Sequence, residues 1–285
     1  MGMRSTPYFL LVVVICSAHA APSQKERGCR RARSNLSIRI RKDNIIDLTH
    51  VTDERSAYWP NNPSGFEMVE IFKGFVETTT RFFYSTYMFS QPEHLGTHMD
   101  APNHFFKGGL GADEVSLYKL IGPGVLINLK KNGTLFGKDS FITVDHFLEW
   151  ERVHDKRIHS GSIVLLYTGY SDVYYDRSQY YGTNATGDEA VPLLHFPGLD
   201  PKAAEWLVTN RCIGAIGIDT ASIDQARSKD FLVHQFLAKH EIPALENVGH
   251  LGKLAAANKG FKVIALPSKN GGGTGAPARI IAVLN

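Results

Sequence analysis

The 285-residue chain is 43% hydrophobic, 21% charged and 11% aromatic, which excludes a disordered, collagenous or coiled-coil protein. Its net charge of +3 is unevenly placed: residues 21–43 carry +6, whereas residues 44–285 hold 22 basic against 26 acidic side chains. The basic excess therefore belongs to a short arm, not to the body, which excludes a broad nucleic-acid surface.

At the start of the chain, Arg4 precedes an apolar run from Phe9 to Cys16, followed by Ser17-Ala18-His19-Ala20. These are the three parts of a secretory signal peptide over residues 1–20. The run falls far short of the ~20 apolar residues of a membrane span, and no later stretch reaches that length. A secreted, extracellular glycoprotein is expected, with sequons at Asn35, Asn132 and Asn184. Residues 21–43 form a basic arm. Its Arg30-Arg31-Ala32-Arg33 resembles a convertase site but reads more simply as a solvated tail that could adhere to acidic glycans or headgroups. Cys29 lies in this arm with its pairing open, and Cys212 is expected as a buried thiol.

Residues 44–285 read as one α/β domain with a mixed sheet. Strands are predicted at 44–49, 66–76, 81–90, 124–129, 162–167, 213–218, 242–246, 261–266 and 278–284 from apolar runs and period-2 alternation. Helices are predicted over 143–154, with Thr143 as N-cap, over 200–210, with Asp200 as cap and Pro201 in the first turn, and over 231–240. No internal repeat is visible.

The chemistry is concentrated in His94-Leu-Gly-Thr-His98-Met-Asp100-Ala-Pro-Asn-His104-Phe. Pro102 disfavours a helix. On an extended strand His94, His98, Asp100 and His104 would share a side. A straight strand would hold His94 and His98 roughly 13 Å apart, too far for one ion, so a bend is required, and Gly96 is the residue that tolerates it. Two imidazoles and a carboxylate without thiolate suit a catalytic divalent metal, zinc first and manganese second, with a position left open for water. The plainer alternative is a set of loop histidines bonded to backbone, which would leave imidazoles costly to bury.

This segment resembles the H-x-G-T-H-x-D-x-P-x-H-F signature of the cyclase-like metal hydrolases, which include bacterial-type kynurenine formamidases and isatin hydrolases. Asp47-Leu48-Thr49, Trp59-Pro60, the run from Ile216 to Asp224, and Gly275-Ala276-Pro277-Ala278-Arg279 are similar to further family segments in the same order. The resemblance implies a swivelling β/β/α fold and a homo-oligomer. It implies that His94, His98 and Asp100 hold a first ion, with Asp100 bridging to a second at His234 and Glu246. His104 would be the general acid/base, and Trp59 would stack on the substrate. One or two ions per subunit are allowed. The usual W-P-G-D reads Trp59-Pro60-Asn61-Asn62 here, which removes a carboxylate from the pocket entrance.

The function so implied is hydrolysis of an amide C–N bond by metal-activated water. An aryl formamide such as N-formylkynurenine is the first choice of substrate, because a carboxylate at Glu246 supports two ions. A cyclic amide of the isatin type is the second. A secreted metal- or ligand-binding protein without turnover is the rival of another class, and such a binder would have no need of His104. The partner is a small aromatic amide; neither nucleic acid nor a membrane span is involved.

Overall fold

The computed structural model describes residues 37–285; the expected signal peptide, most of the basic arm, Cys29 and the Asn35 sequon lie outside the described residues. The first strands are β1 (Ile45–Asp47), the hairpin pair β2 (Glu67–Glu77) and β3 (Arg81–Ser90), and β4 (His98–Asp100). They are followed by α1 (Leu117–Leu120), β5 (Ile121–Asn128), β6 (Phe141–Ile142), α2 (Val144–His154), β7 (Ile163–Tyr167) and α3 (Arg177–Tyr181). The chain continues through β8 (Gly198–Leu199), α4 (Pro201–Trp206), β9 (Ala215–Ile218), α5 (Leu232–Lys239) and β10 (Ala244–Glu246), then α6 (Leu251–Ala257), β11 (Phe261–Pro267) and β12 (Gly275–Leu284).

Eight strands make one mixed sheet in the order β1-β12-β11-β5-β7-β9-β10-β4, and β4 also pairs with the start of β12, so the sheet closes like a barrel. The strands β5, β7, β9 and β10 run parallel, as the intervening helices require, and the remaining neighbours are antiparallel. β7 shows why the parallel strands read as continuous apolar runs. Ile163 and Leu165 face a core shared with Val263, Ile280 and Leu251. Val164 and Leu166 face a second core with Phe147 of α2, Ala203 of α4 and Val233 of α5. The expected single α/β domain with a mixed sheet is thus present.

Local signals explain the helix ends. Thr143 and His146 form a reciprocal cap at the start of α2. The Asp200 carboxylate accepts from the Lys202 amide, 2.7 Å away, and Pro201 opens α4. The helical path then widens into a π turn over Leu207–Arg211 and ends at Cys212, whose φ is +52°. This position is half-buried, and Cys212 is disulfide-bonded. The expectation of a buried free thiol is therefore corrected: the cysteine sits at the helix exit, before β9 enters the core.

Candidate metal centre

Strand pairing assembles the site. β4 lies between β10 and the start of β12. Its register sets Glu246 opposite His98, and both Ala244 and Gly275 opposite Asp100. Directly opposed antiparallel residues project to the same side, and alternate residues share a face. His98, Asp100 and Glu246 therefore emerge together, while Met99, Leu245 and Ala276 point into the core, none more than marginally exposed. Gly96 adopts φ +62° and supplies the bend that brings His94 back over this face.

Asp100 sits at the centre. Its Oδ1 is 2.7 Å from His94 Nδ1 and 3.2 Å from His98 Nε2, and its Oδ2 is 3.1 Å from His234 Nε2. Glu246 divides in the same way: Oε1 is 3.1 Å from His234 Nε2 and accepts from the Ile223 amide, and Oε2 is 3.5 Å from His98 Nε2. The structure thus gathers His94, His98, His234 and Glu246 about Asp100, whose two oxygens face different imidazoles.

The chemistry of these atoms fits a cation. His98 donates its Nδ1 proton to the Gly96 carbonyl at 2.9 Å, so its Nε2 carries a lone pair. That nitrogen is buried without a hydrogen-bond partner and faces two carboxylates. Lone pairs converging on one buried point need a positive charge between them. The ligand atoms of His98, Asp100 and Glu246 lie within 4.8 Å of one another, as do those of His94, Asp100 and His104. Burial disfavours charge at Asp100, but His234, His94 and His98 around it hold its carboxyl well below the usual range. Burial likewise opposes charge on His98 and His234, and the facing carboxylates reverse this, raising both pKa values.

His104 ends a short 3₁₀ turn begun by Pro102, and its ring stacks on His94 with centroids 4.0 Å apart. Its outer edge is open to solvent, while its inner side is crowded. Desolvation is the main cause that lowers its pKa to about 4; Asp100 pulls the other way, and the imidazoles of His94, His234 and His98 add to the drop. The cavity above the centre has a volume of about 250 Å³. Half-buried Trp59 forms part of its wall, 6.2 Å from Phe231, and Phe105 closes another side, 4.5 Å from the His234 ring. Asn62 also lines the cavity, whereas Asn61 turns away to bond Asp188.

Several contributors were not singled out from sequence. Asp224 accepts from His234 Nδ1 at 2.6 Å, and its two oxygens also cap the amides of Val233 and His234. One side chain therefore orients the imidazole and starts the helix that carries it. The only signal for this was an aspartate ending the run from Ile216 to Asp224. Phe231 holds φ +48° at the start of α5, an uncommon conformation for an aromatic residue, and puts its ring into the cavity wall.

The Cyclase family model matches residues 46–225. The isatin hydrolase of Roseibium aggregatum is 30% identical over 201 residues, 67% of this chain and 72% of that protein. The kynurenine formamidase of Delftia acidovorans is 29% identical over 66% of this chain and 75% of its own length. Among solved structures, isatin hydrolase A from Ralstonia solanacearum superposes with a TM-score of 0.69 at 25% identity, covering 85% of this chain and 92% of the other. An isatin hydrolase bound to the product analogue thioisatinate gives a TM-score of 0.71 at 26% identity, over 84% and 92%.

Proposed function

The chain belongs to the Cyclase family, and from that premise we propose that it is a secreted, metal-dependent hydrolase of an amide C–N bond, with an aryl formamide as its substrate class. The observation that carries this reading is the convergence of lone pairs from His98, Asp100 and Glu246 under a cavity walled by aromatic rings. His94, His98 and Asp100 would hold one divalent ion, and Asp100, His234 and Glu246 a second, with zinc favoured over manganese for a set of imidazoles and carboxylates.

A divalent ion in this place supplies Lewis acidity, polarising a carbonyl oxygen and lowering the pKa of water. The protein's own residues do the rest. Trp59, Phe105 and Phe231 clasp an aromatic ring and exclude bulk water. His104, kept neutral by its surroundings, takes the proton of the attacking water and delivers it to the leaving nitrogen. Asp224 and the Gly96 carbonyl keep the imidazoles of His234 and His98 turned inward. A second reading, opening of a cyclic amide, is supported by similarity to isatin hydrolases and by the small cavity. The test is an assay of chelated and metal-restored protein on formanilide-type and lactam substrates. Turnover of the anilide series supports the first reading, ring opening alone supports the second, and neither would leave a metal-binding protein without turnover.

Secretion, with residues 1–20 removed, a basic arm over 21–43 and the hydrolase domain over 44–285, has further support. A disulfide at Cys212 suits an oxidising compartment, and Asn132 and Asn184 are both exposed. Amino-terminal sequencing of secreted product should find Ala21, or Ser34 if the arm is cut; Met1 on a cytosolic product would refute secretion. Assembly with further copies of the chain is proposed as well, through the exposed apolar side chains of the β2–β3 ribbon.

A further inference from the structure

Each imidazole beside Asp100 turns one nitrogen to the carboxylates and anchors the other. For His98 the anchor is a backbone carbonyl, and for His234 it is the Asp224 carboxylate. Both anchors only accept, so both imidazoles carry their proton on Nδ1 and present Nε2 inward. His94 is the reverse case. Its Nδ1 faces Asp100 Oδ1 at 2.7 Å, and its Nε2 lies 3.1 Å from Thr274 Oγ1. A hydroxyl can give or take a proton, so Thr274 alone leaves the His94 tautomer open.

Glu93 closes that choice. The Thr274 hydroxyl donates to Glu93 Oε2 at 2.8 Å, and the Thr274 amide donates to the same oxygen at 2.9 Å. A carboxylate only accepts, so the single hydroxyl proton is committed to Glu93. Thr274 Oγ1 then meets His94 with a lone pair, the ring must donate from Nε2, and Nδ1 is left bare toward Asp100. The relay is held in place on each side. The Thr274 carbonyl accepts from the Ala101 amide, next to Asp100. A Cβ on Gly275 would come 2.5 Å from His94 Cε1, so a side chain there would displace the ring from its place beside Thr274.

We propose that Glu93 and Thr274 are positioning residues that fix the tautomer of His94, making it a ligand through Nδ1 where His98 and His234 are ligands through Nε2; this rests on the reading of the centre as a metal site. The closing experiment uses zinc alone as the probe on the full chain. Thr274→Val keeps the shape and removes the hydroxyl, and Thr274→Ser restores it. In competition with a chromophoric chelator, Thr274→Val should bind zinc ~10–100-fold more weakly than wild type, and Thr274→Ser should bind as wild type does. Equal affinity of wild type and Thr274→Val would overturn the positioning role and leave the metal site standing. Failure of wild type to bind zinc would overturn the metal reading and this inference with it. Should Thr274→Val fail to fold, ¹⁵N-histidine spectra of zinc-loaded wild type decide the matter. One ligand with its proton on Nε2, assigned to His94 by its loss in His94→Gln, is the expected result; His94 protonated on Nδ1 refutes the relay.

Discussion

Glu246 stands directly opposite His98 in the antiparallel register of β10 and β4, with its Oε2 3.5 Å from His98 Nε2. These residues are far apart in sequence, and the pairing of β10 with β4 makes them neighbours. The other oxygen of Glu246 is bound by the Ile223 amide and faces His234, so this carboxylate ties the two halves of the centre together.

Glu246→Gln tests that link. The amide oxygen can still accept from Ile223, so the fold should persist, but the negative charge between His98 and His234 is gone. Metal affinity should fall by more than the ~10–100-fold that loss of an orienting partner typically costs, and turnover should fall with it. Elemental analysis of the purified variant, with circular dichroism as the control for folding, checks this; full wild-type metal content would remove Glu246 from the ligand set.

His104→Ala separates proton transfer from metal binding. A positioned proton-transfer group typically contributes ~10²–10⁴-fold to rate, so kcat should drop by that range while KM changes little. The defect should shrink on a substrate whose leaving group needs no protonation. Because the ligand atoms of His94, Asp100 and His104 also lie close together, metal content must be measured on the same sample. Parallel loss of metal and rate would make His104 a ligand instead.

The inner half of the site was legible because its residues are close in sequence. Spacing, Pro102 and Gly96 were enough to expect a bent extended segment, and Gly96 does turn at φ +62° between His94 and His98. The orienting groups were not legible. Thr274 meets His94 only because β12 closes on β4, and Asp224 reaches His234 through a loop whose path no periodicity records. The buried strands of the fold were visible as apolar runs, but short helices were not. α6 (Leu251–Ala257) starts from His250 in the left-handed region and lacks a Ser, Thr, Asp or Asn cap. α3 is five residues long, though Asp176 caps it and Gly182 ends it at φ +79°.

The β2–β3 ribbon carries the oligomer prediction. Eleven large apolar side chains on it are at least 40% exposed, among them Ile71, Phe75, Phe83 and Phe89. The cross-strand pairs Val69–Met88, Phe72–Thr86 and Val76–Phe82 share a face that carries charge only at Glu67. A two-stranded ribbon is marginal by itself. Counted over both faces, its open apolar surface is on the order of 1,000 Å², of the same order as the ~800 Å² each partner brings to a standard interface. Light scattering should give a multiple of the monomer mass, and the double variant Val69→Lys/Met88→Lys should reduce it to the monomer. A monomeric wild type would refute the assembly.

His50 predicts how acid weakens the fold. It is 4% exposed, stacks on Tyr174 at 3.6 Å, and neither ring nitrogen has a hydrogen-bond partner. Burial is the main cause that lowers its pKa to about 3, and the nearby charge of His250 adds to it. The sign follows from linkage. As pH falls below the ordinary histidine value, the unfolded chain binds a proton at residue 50 that the folded chain refuses, so stability drops until the folded pKa is reached. At about 1.4 kcal/mol per unit, the loss attributable to this ring by pH 4.5 is about 2–3 kcal/mol. The tyrosines that face it, Tyr174 and Tyr175, do not titrate in this range. His98 and His234, with raised pKa values, slope the other way, because stability they contribute fades as pH rises. Their effect is the same in any variant confined to residue 50. His50→Phe keeps the stack and removes the titration. Urea midpoints should show it at least as stable as wild type at pH 7 and about 2–3 kcal/mol better at pH 4.5. If the two proteins lose stability in parallel between those pH values, the His50 ring is charging within the fold and its burial does not set the acid limit.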